Sequence, residues 1–158
     1  MRTITYIYNC DDVLSKQDEF LKKLKEDEKN CYLLSLKNYM DRKNKSHEII
    51  DLKIGDIGYF DFGDAYRFEI GYQHLGVVIS IVKQKIFVVP IISKKANSLL
   101  YTQMFLPKTC SSVFRTDSIA LLNDSKWISQ SRTINRLGSI ESKDILHNIK
   151  SNVIKMIL

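Results

Sequence analysis

The chain has 158 residues, 44% of them apolar, and a formal net charge of +6. That length suits one domain, or one domain with an extension, able to bury a core without staples, and the chain carries no fixed-period repeat of a solenoid. No window of about 18 uncharged apolar residues exists to span a membrane, while the moderate positive charge favours a polyanionic partner, RNA or DNA, or equally an acidic protein.

The N-terminal stretch MRTITYIYNCDDVL has no long apolar core and no small-residue cleavage site, so a cytoplasmic protein is expected. Thr3–Tyr8 alternates and reads as a short strand or an extended arm. From Asp11 to Lys45 there is no Gly and no Pro. Val13, Leu14, Phe20, Leu21 and Leu24 fall at helical spacing, and Tyr32, Leu33, Leu36, Tyr39 and Met40 form a second stripe. Asp11 or Asp12 is expected to cap the first helix. A break near Asp27–Asn30 would give a helical pair. The mixed charges of Lys22–Lys29 read as a solvated helix face.

After Leu52 the period changes from helix to strand. Asp56–Phe62 is rich in β-formers. Val77–Val82 is a continuous apolar run, which predicts a strand buried on both faces. Lys83-Gln84-Lys85 reads as a tight turn into Ile86–Ile92. Pro90 has no N–H to give a ladder, so it is expected at an edge or a bulge. Tyr101–Leu106, Asp117–Leu122, Trp127-Ile128 and Thr133–Ile140 are further strands. Ile145, Leu146, Ile149, Val153, Ile154 and Ile157 predict a closing amphipathic helix over Glu141–Leu158, with Ser139 or Ser142 near its start. Many short strands and one amphipathic helix argue for an α+β chain. It would be a small barrel with a C-terminal helix plugging an end, residues 52–158, preceded by an N-terminal helical segment, residues 1–51.

Cys10, Cys31 and Cys110 are odd in number and far apart, so reduced, ordinary thiols are expected. With no CxxC pair, and with His47, His74 and His147 off metal-ligand spacing, neither a metal nor another cofactor is expected. Asp56, Asp61 and Asp64 do not read as a metal cluster, since Asp56 belongs to a strand-start turn and Asp61 is expected to face solvent on the strand. His47 and His147 read as structural or exposed, and Trp127 as a core residue.

The order of segments resembles the PemK/MazF family. Gly55–Phe62 (GDIGYFDF) is followed by a polar loop with Glu69, Gly71 and Gln73, then Val77-Val78-Ile79-Ser80, then Val89-Pro90-Ile91-Ile92-Ser93. Asp117–Asp124 and Ser129–Leu137 (SQSRTINRL) resemble the family's later strands. The likeness covers about Leu52–Leu158. It implies an SH3-like, PemK/MazF-type β-barrel and a homodimer. It implies a toxin that cuts single-stranded RNA without a metal, and an antitoxin partner with an acidic tail. Two positions depart from the family pattern. Where the family carries an arginine before the apolar strand, this chain has His74, followed by Leu75-Gly76; where the family has a threonine, it has Ile92, followed by Ser93.

Metal-free RNA cleavage needs a base for the ribose 2′-OH, an acid for the leaving 5′-oxygen and a cation for the charged phosphorane. Histidine suits the first two roles and arginine the third. His74 is therefore the candidate proton-transfer group, Arg132 its cationic partner, and Ser93 a donor to phosphate or to the ring. The loop Gly63–Gln73 interleaves Arg67 with Tyr66, Phe68 and Tyr72. Cations among aromatics suit single-stranded RNA, whose bases stack at about 1–3 kcal/mol each. Arg67, Tyr66 and Tyr72 are thus RNA-binding candidates, unless Phe68 and Ile70 fold back onto the core. Lys94, with Lys95 beside it, and Lys126 add positive charge. The expected product is a 2′,3′-cyclic phosphate. The alternative is a module that binds RNA or DNA, or regulates, having kept the barrel and lost the reaction.

Overall fold

A computed structural model of the chain describes residues 9–43, 50–94 and 98–158. The extended segment expected at Thr3–Tyr8, His47 and Lys95 lie outside the described residues.

Two helices come first, α1 (Cys10–Lys23) and α2 (Glu26–Arg42). The side chain of Asn9 caps α1 by accepting from the Asp11 backbone N–H at 3.0 Å. Asp11 and Asp12, the expected caps, occupy the first turn instead, where carboxylates face the positive end of the helix dipole. The break falls at Leu24-Lys25, earlier than Asp27–Asn30. The reason is electrostatic: Glu26, Asp27 and Glu28 form the acidic first turn of α2. The helices fold back on each other through the Phe20 and Tyr32 rings, 5.7 Å apart edge-on, and a 2.9 Å hydrogen bond from Gln17 to the Tyr32 hydroxyl.

Seven strands follow: β1 (Asp56–Asp61), β2 (Gln73–Val82), β3 (Lys85–Ser93), β4 (Gln103–Leu106), β5 (Ser118–Leu121), β6 (Lys126–Ser129) and β7 (Thr133–Ser139). Helix α3 (Lys143–Ile157) closes the chain. All pairings are antiparallel, in the order β4-β5-β3-β2-β1-β7, with β6 beside β3. The α+β class is as expected, but the closed barrel is not what the pairing shows. Among the described residues β4 and β7 end the path and do not pair, so the sheet stays open.

The β2–β3 connection is a two-residue turn, Lys83-Gln84, with Lys83 at φ +54°, the hand that matches strand twist. Pro90 sits neither at an outer edge nor at a bulge. It lies inside β3, opposite Gly76 of β2, between the part of β3 that pairs with β6 (Lys85–Val88) and the part that pairs with β5 (Ile91–Ser93). A residue without an N–H is tolerated where the outer partner changes.

The continuous apolar runs are explained by two cores, one on each sheet face. Val77, Ile79, Val89 and Ile91 face a cluster covered by Ile149 and Val153 of α3. Their neighbours Val78, Ile86 and Val88 face a second cluster with Leu52, Phe60, Phe62, Ile70 and Ile128. Ser142 caps α3, accepting from the Ile145 N–H at 3.3 Å. Burying Ile149 and Val153 contributes about 1.5–3 kcal/mol each.

The N-terminal helices join neither cluster. No α1 residue is buried, and in α2 only Ser35 is. Polar contacts, not a shared core, hold them to the sheet.

Candidate functional site: a cleft at the end of β1

β1 ends at Asp61 and β2 begins at Gln73, directly opposite. The Asp61 carboxylate is buried and gathers four donors: Ser35 Oγ at 2.5 Å, Gly63 N at 3.0 Å, Asn38 Nδ2 at 3.2 Å and Gln73 Nε2 at 3.4 Å. Burial pushes its pKa up, but these hydrogen bonds outweigh burial and leave it below the ordinary aspartate value. Its charged form is therefore held at neutral pH. This corrects the solvent-facing position expected for Asp61.

Arg132 lies just before β7. Its Nη1 donates to the Asp61 carbonyl oxygen at 3.1 Å. The guanidinium lies against Gly63, where an added Cβ would come within 2.9 Å of Nη1. Gly63 has φ +79°, a conformation that suits glycine. From α2, Arg42 donates to the carbonyls of Ser131 at 3.1 Å and Thr133 at 2.8 Å, one on each side of Arg132. Between α2 and this end of the sheet is a cleft of about 550 Å³ lined by Asn38, Arg42, Lys43, Asp64, Ser131 and Arg132, among others.

No protein-family model matches the chain, and no curated protein sequence matches it. Solved structures do. MazF (form I) from Deinococcus radiodurans superposes with a TM-score of 0.55 at 16% identity, over 67% of this chain and 96% of that one. An endoribonuclease in complex with its cognate antitoxin, from a mycobacterial species, matches with a TM-score of 0.51 at 10% identity, over 68% and 95%. The MazE–MazF complex (form II) from Deinococcus radiodurans matches with a TM-score of 0.50 at 15% identity, over 70% and 97%.

The fold is PemK/MazF-like.

On this PemK/MazF-like frame, His74 is inside β2 rather than in the loop before it, because the strand starts at Gln73. It pairs with Phe60, whose other neighbour is Thr133 of β7. His74 and Thr133 are thus two strands apart, about 10 Å at ordinary inter-strand spacing. Residues directly opposite share a face, so His74 lies on the Phe60 side and Asp61 and Gln73 on the other. The ring is half-buried. Burial lowers its pKa below the ordinary histidine value, more than a hydrogen bond with the Gly71 backbone raises it. It is neutral at neutral pH and can accept a proton.

The loop between β1 and β2 holds two of its aromatic rings out in solvent. Tyr66 and Phe68 are each 86% exposed. Arg67 lies over the Phe68 ring, 4.9 Å from its centroid. Phe68 has φ +76°, a strained backbone for an aromatic residue. Ile70 does fold onto the core, and Phe68 does not. The loop is tied down at Ile70, whose N–H donates to Asp124 Oδ1 at 3.1 Å and whose carbonyl accepts from Lys126 Nζ at 3.4 Å. Lys126 also lies 5.4 Å from the Phe62 ring centroid. Tyr72 differs from its loop neighbours. It is half-buried, and burial raises its phenol pKa, with Glu28 of α2 and Asp64 adding to the rise.

Ser93 is exposed at the end of β3, opposite Ser118. Lys94 follows it, with Nζ 4.7 Å from the Phe105 centroid. Trp127, expected in the core, is 46% exposed and edge-on to Phe87, with ring centroids 5.2 Å apart. Asp56 does mark the strand start: its carboxylate accepts from the Lys53 N–H at 2.8 Å and from Arg136 Nε and Nη2 at 2.8 and 2.9 Å. His147 is exposed on α3. The described cysteines are all free thiols, Cys110 buried and Cys10 exposed. Among the described residues no three His, Cys, Asp or Glu side chains converge, and no helix is long and apolar enough to cross a membrane.

Sequence reasoning missed Asp61, Gln73, Ser35, Asn38 and Arg42. One signal was available: Ser35, Asn38 and Arg42 fall at i, i+3 and i+7, a polar stripe on one face of a helix.

Proposed function

We propose that this protein is the toxin of a toxin–antitoxin pair, a metal-independent endoribonuclease acting on single-stranded RNA. The observation that carries the reading is the match to two MazF structures and an antitoxin-bound endoribonuclease over 95–97% of their chains. Residues 52–158 are 107 of the 158 residues, or 68%, close to the 67–70% of this chain that those matches cover. That is in keeping with a PemK/MazF-like catalytic domain that has the helices as an addition.

In this scheme neutral His74 takes the proton of the ribose 2′-OH as general base, and the leaving 5′-oxygen takes a proton from the imidazolium so formed or from water. The 2′-oxygen attacks phosphorus, the bond to the 5′-oxygen breaks, and a 2′,3′-cyclic phosphate remains. Arg132 neutralises the phosphorane and Ser93 donates to a phosphate oxygen. Tyr66, Arg67 and Tyr72 hold bases, and Lys94 and Lys126 hold phosphates. The partners are a second copy of the chain in a homodimer and an acidic antitoxin, in the cytoplasm. The test is incubation of the purified protein with single-stranded RNA in a chelator. Cyclic-phosphate ends, lost in His74→Ala, are expected; intact RNA, or unchanged cutting by the variant, refutes the mechanism.

Two observations favour a second reading. The Arg132 guanidinium is already committed to the Asp61 carbonyl, and Tyr72 lies near α2 rather than free. A module that binds RNA or DNA, or regulates, without cutting would tolerate this. Salt-dependent RNA binding without cleavage selects that reading.

A further inference from the structure

We infer that α2 is a built-in cover for the Arg132 cleft, a latch that has to lift before single-stranded RNA reaches that guanidinium. The inference rests on the proposed reading of the cleft as part of an RNA site.

The contact pattern carries it. Ser35, Asn38 and Arg42 form one stripe of α2, and each grips the sheet end. Ser35 and Asn38 hold the Asp61 carboxylate at the end of β1. Arg42 holds the two carbonyls that bracket Arg132. The helix therefore clasps both sides of Arg132. A bound single strand tracks along a groove over several nucleotides, whereas α2 forms one wall of a cleft of only about 550 Å³.

The same contacts make the latch reversible. An apolar interface would resist release, because lifting would expose its core to water. Here Ser35 is the only buried residue of α2, while Leu33, Leu34, Tyr39 and Met40 are exposed with the helix docked. Lifting exchanges these protein hydrogen bonds for water hydrogen bonds, a net cost but one without the exposure of a packed apolar core. Arg42 is also a cation that an incoming phosphate could draw off its carbonyls.

The experiment uses the full chain and two readouts. The first, independent of RNA, is the rate at which phenylglyoxal modifies Arg132, followed by mass spectrometry. In Ser35→Ala/Asn38→Ala the rate should rise at least tenfold over wild type, with a smaller rise in Arg42→Gln. Equal rates, in variants whose circular dichroism matches wild type, overturn the latch. The second readout is anisotropy of a labelled 12-nucleotide single-stranded RNA. Binding at least tenfold tighter in the double variant supports the latch, and unchanged binding overturns it. Faster labelling with no RNA bound by either form supports the latch and refutes the RNA site.

Discussion

Replacing Asp61 with alanine should destabilise the protein by about 3–5 kcal/mol. The carboxylate accepts from Ser35, Asn38, Gly63 and Gln73. A hydrogen bond to a charged group contributes about 1.5–3 kcal/mol net, and a buried donor left without a partner costs about 1–3 kcal/mol. Asn38 and Gln73 are only half-buried and can turn to water. The cost then falls mainly on Ser35, which is buried, and on the Gly63 N–H, whose loop sits under the Arg132 guanidinium. Urea unfolding followed by far-ultraviolet circular dichroism measures the loss. Adding Ser35→Ala removes one orphan, so the double variant should be less destabilised than the sum by about 1 kcal/mol or more. A loss under about 1 kcal/mol, or strict additivity, would show that the Asp61 cluster contributes little and that the reasoning is wrong.

Acid should act through the same group. The folded pKa of Asp61 is lowered, so its contribution is present above the unfolded value and disappears as pH falls through the folded one. As pH falls below the ordinary aspartate value, stability should therefore decline more steeply in wild type than in Asp61→Ala, as read from acid unfolding curves. His74, lowered by burial, should place the acid limb of a pH–rate profile below 6.5; a limb above 6.5 would remove His74 as the titrating base. Phe68→Gly relieves a left-handed backbone at an exposed ring. It should leave the melting temperature unchanged or raise it while weakening RNA binding by about 1–3 kcal/mol, and a fall in melting temperature would argue against the strain. Gly76→Ala places a Cβ 2.4 Å from Val88 Cγ1 between two central strands. Overpacking there should cost about 1–3 kcal/mol by calorimetry, and a neutral effect would contradict the tight packing.

The sheet and its closing helix were legible because their signals are local. Alternation, continuous apolar runs and a 3.6-residue stripe survive in a single chain. Strand limits moved by a few residues, and α3 begins at Lys143, capped by one of the two serines expected. The miss at His74 has a specific cause. Gln73-His74-Leu75 looks like the end of a polar loop, yet cross-strand pairing with Tyr59, Phe60 and Asp61 extends β2 through it. Asp61 was misread for a similar reason. Its position on β1 looks solvent-facing until α2, more than 20 residues earlier in the chain, supplies Ser35 and Asn38. Trp127 misled in the other direction, since half of its surface stays in water at the sheet margin. A ladder that would close the expected barrel is not formed among the described residues, and no local pattern encodes pairing between chain-distant edges.

The position of β3 bears on how the molecule comes apart. This strand pairs with β2 along one side and with β6 and β5 along the other. Severing its ladders would leave β2, β1 and β7 as one fragment and β5 with β4 as another. No partial opening can free its central amides while the rest holds together. They should exchange with deuterium only through whole-molecule unfolding, whereas α1 and α2, outside both clusters, open in small, frequent excursions.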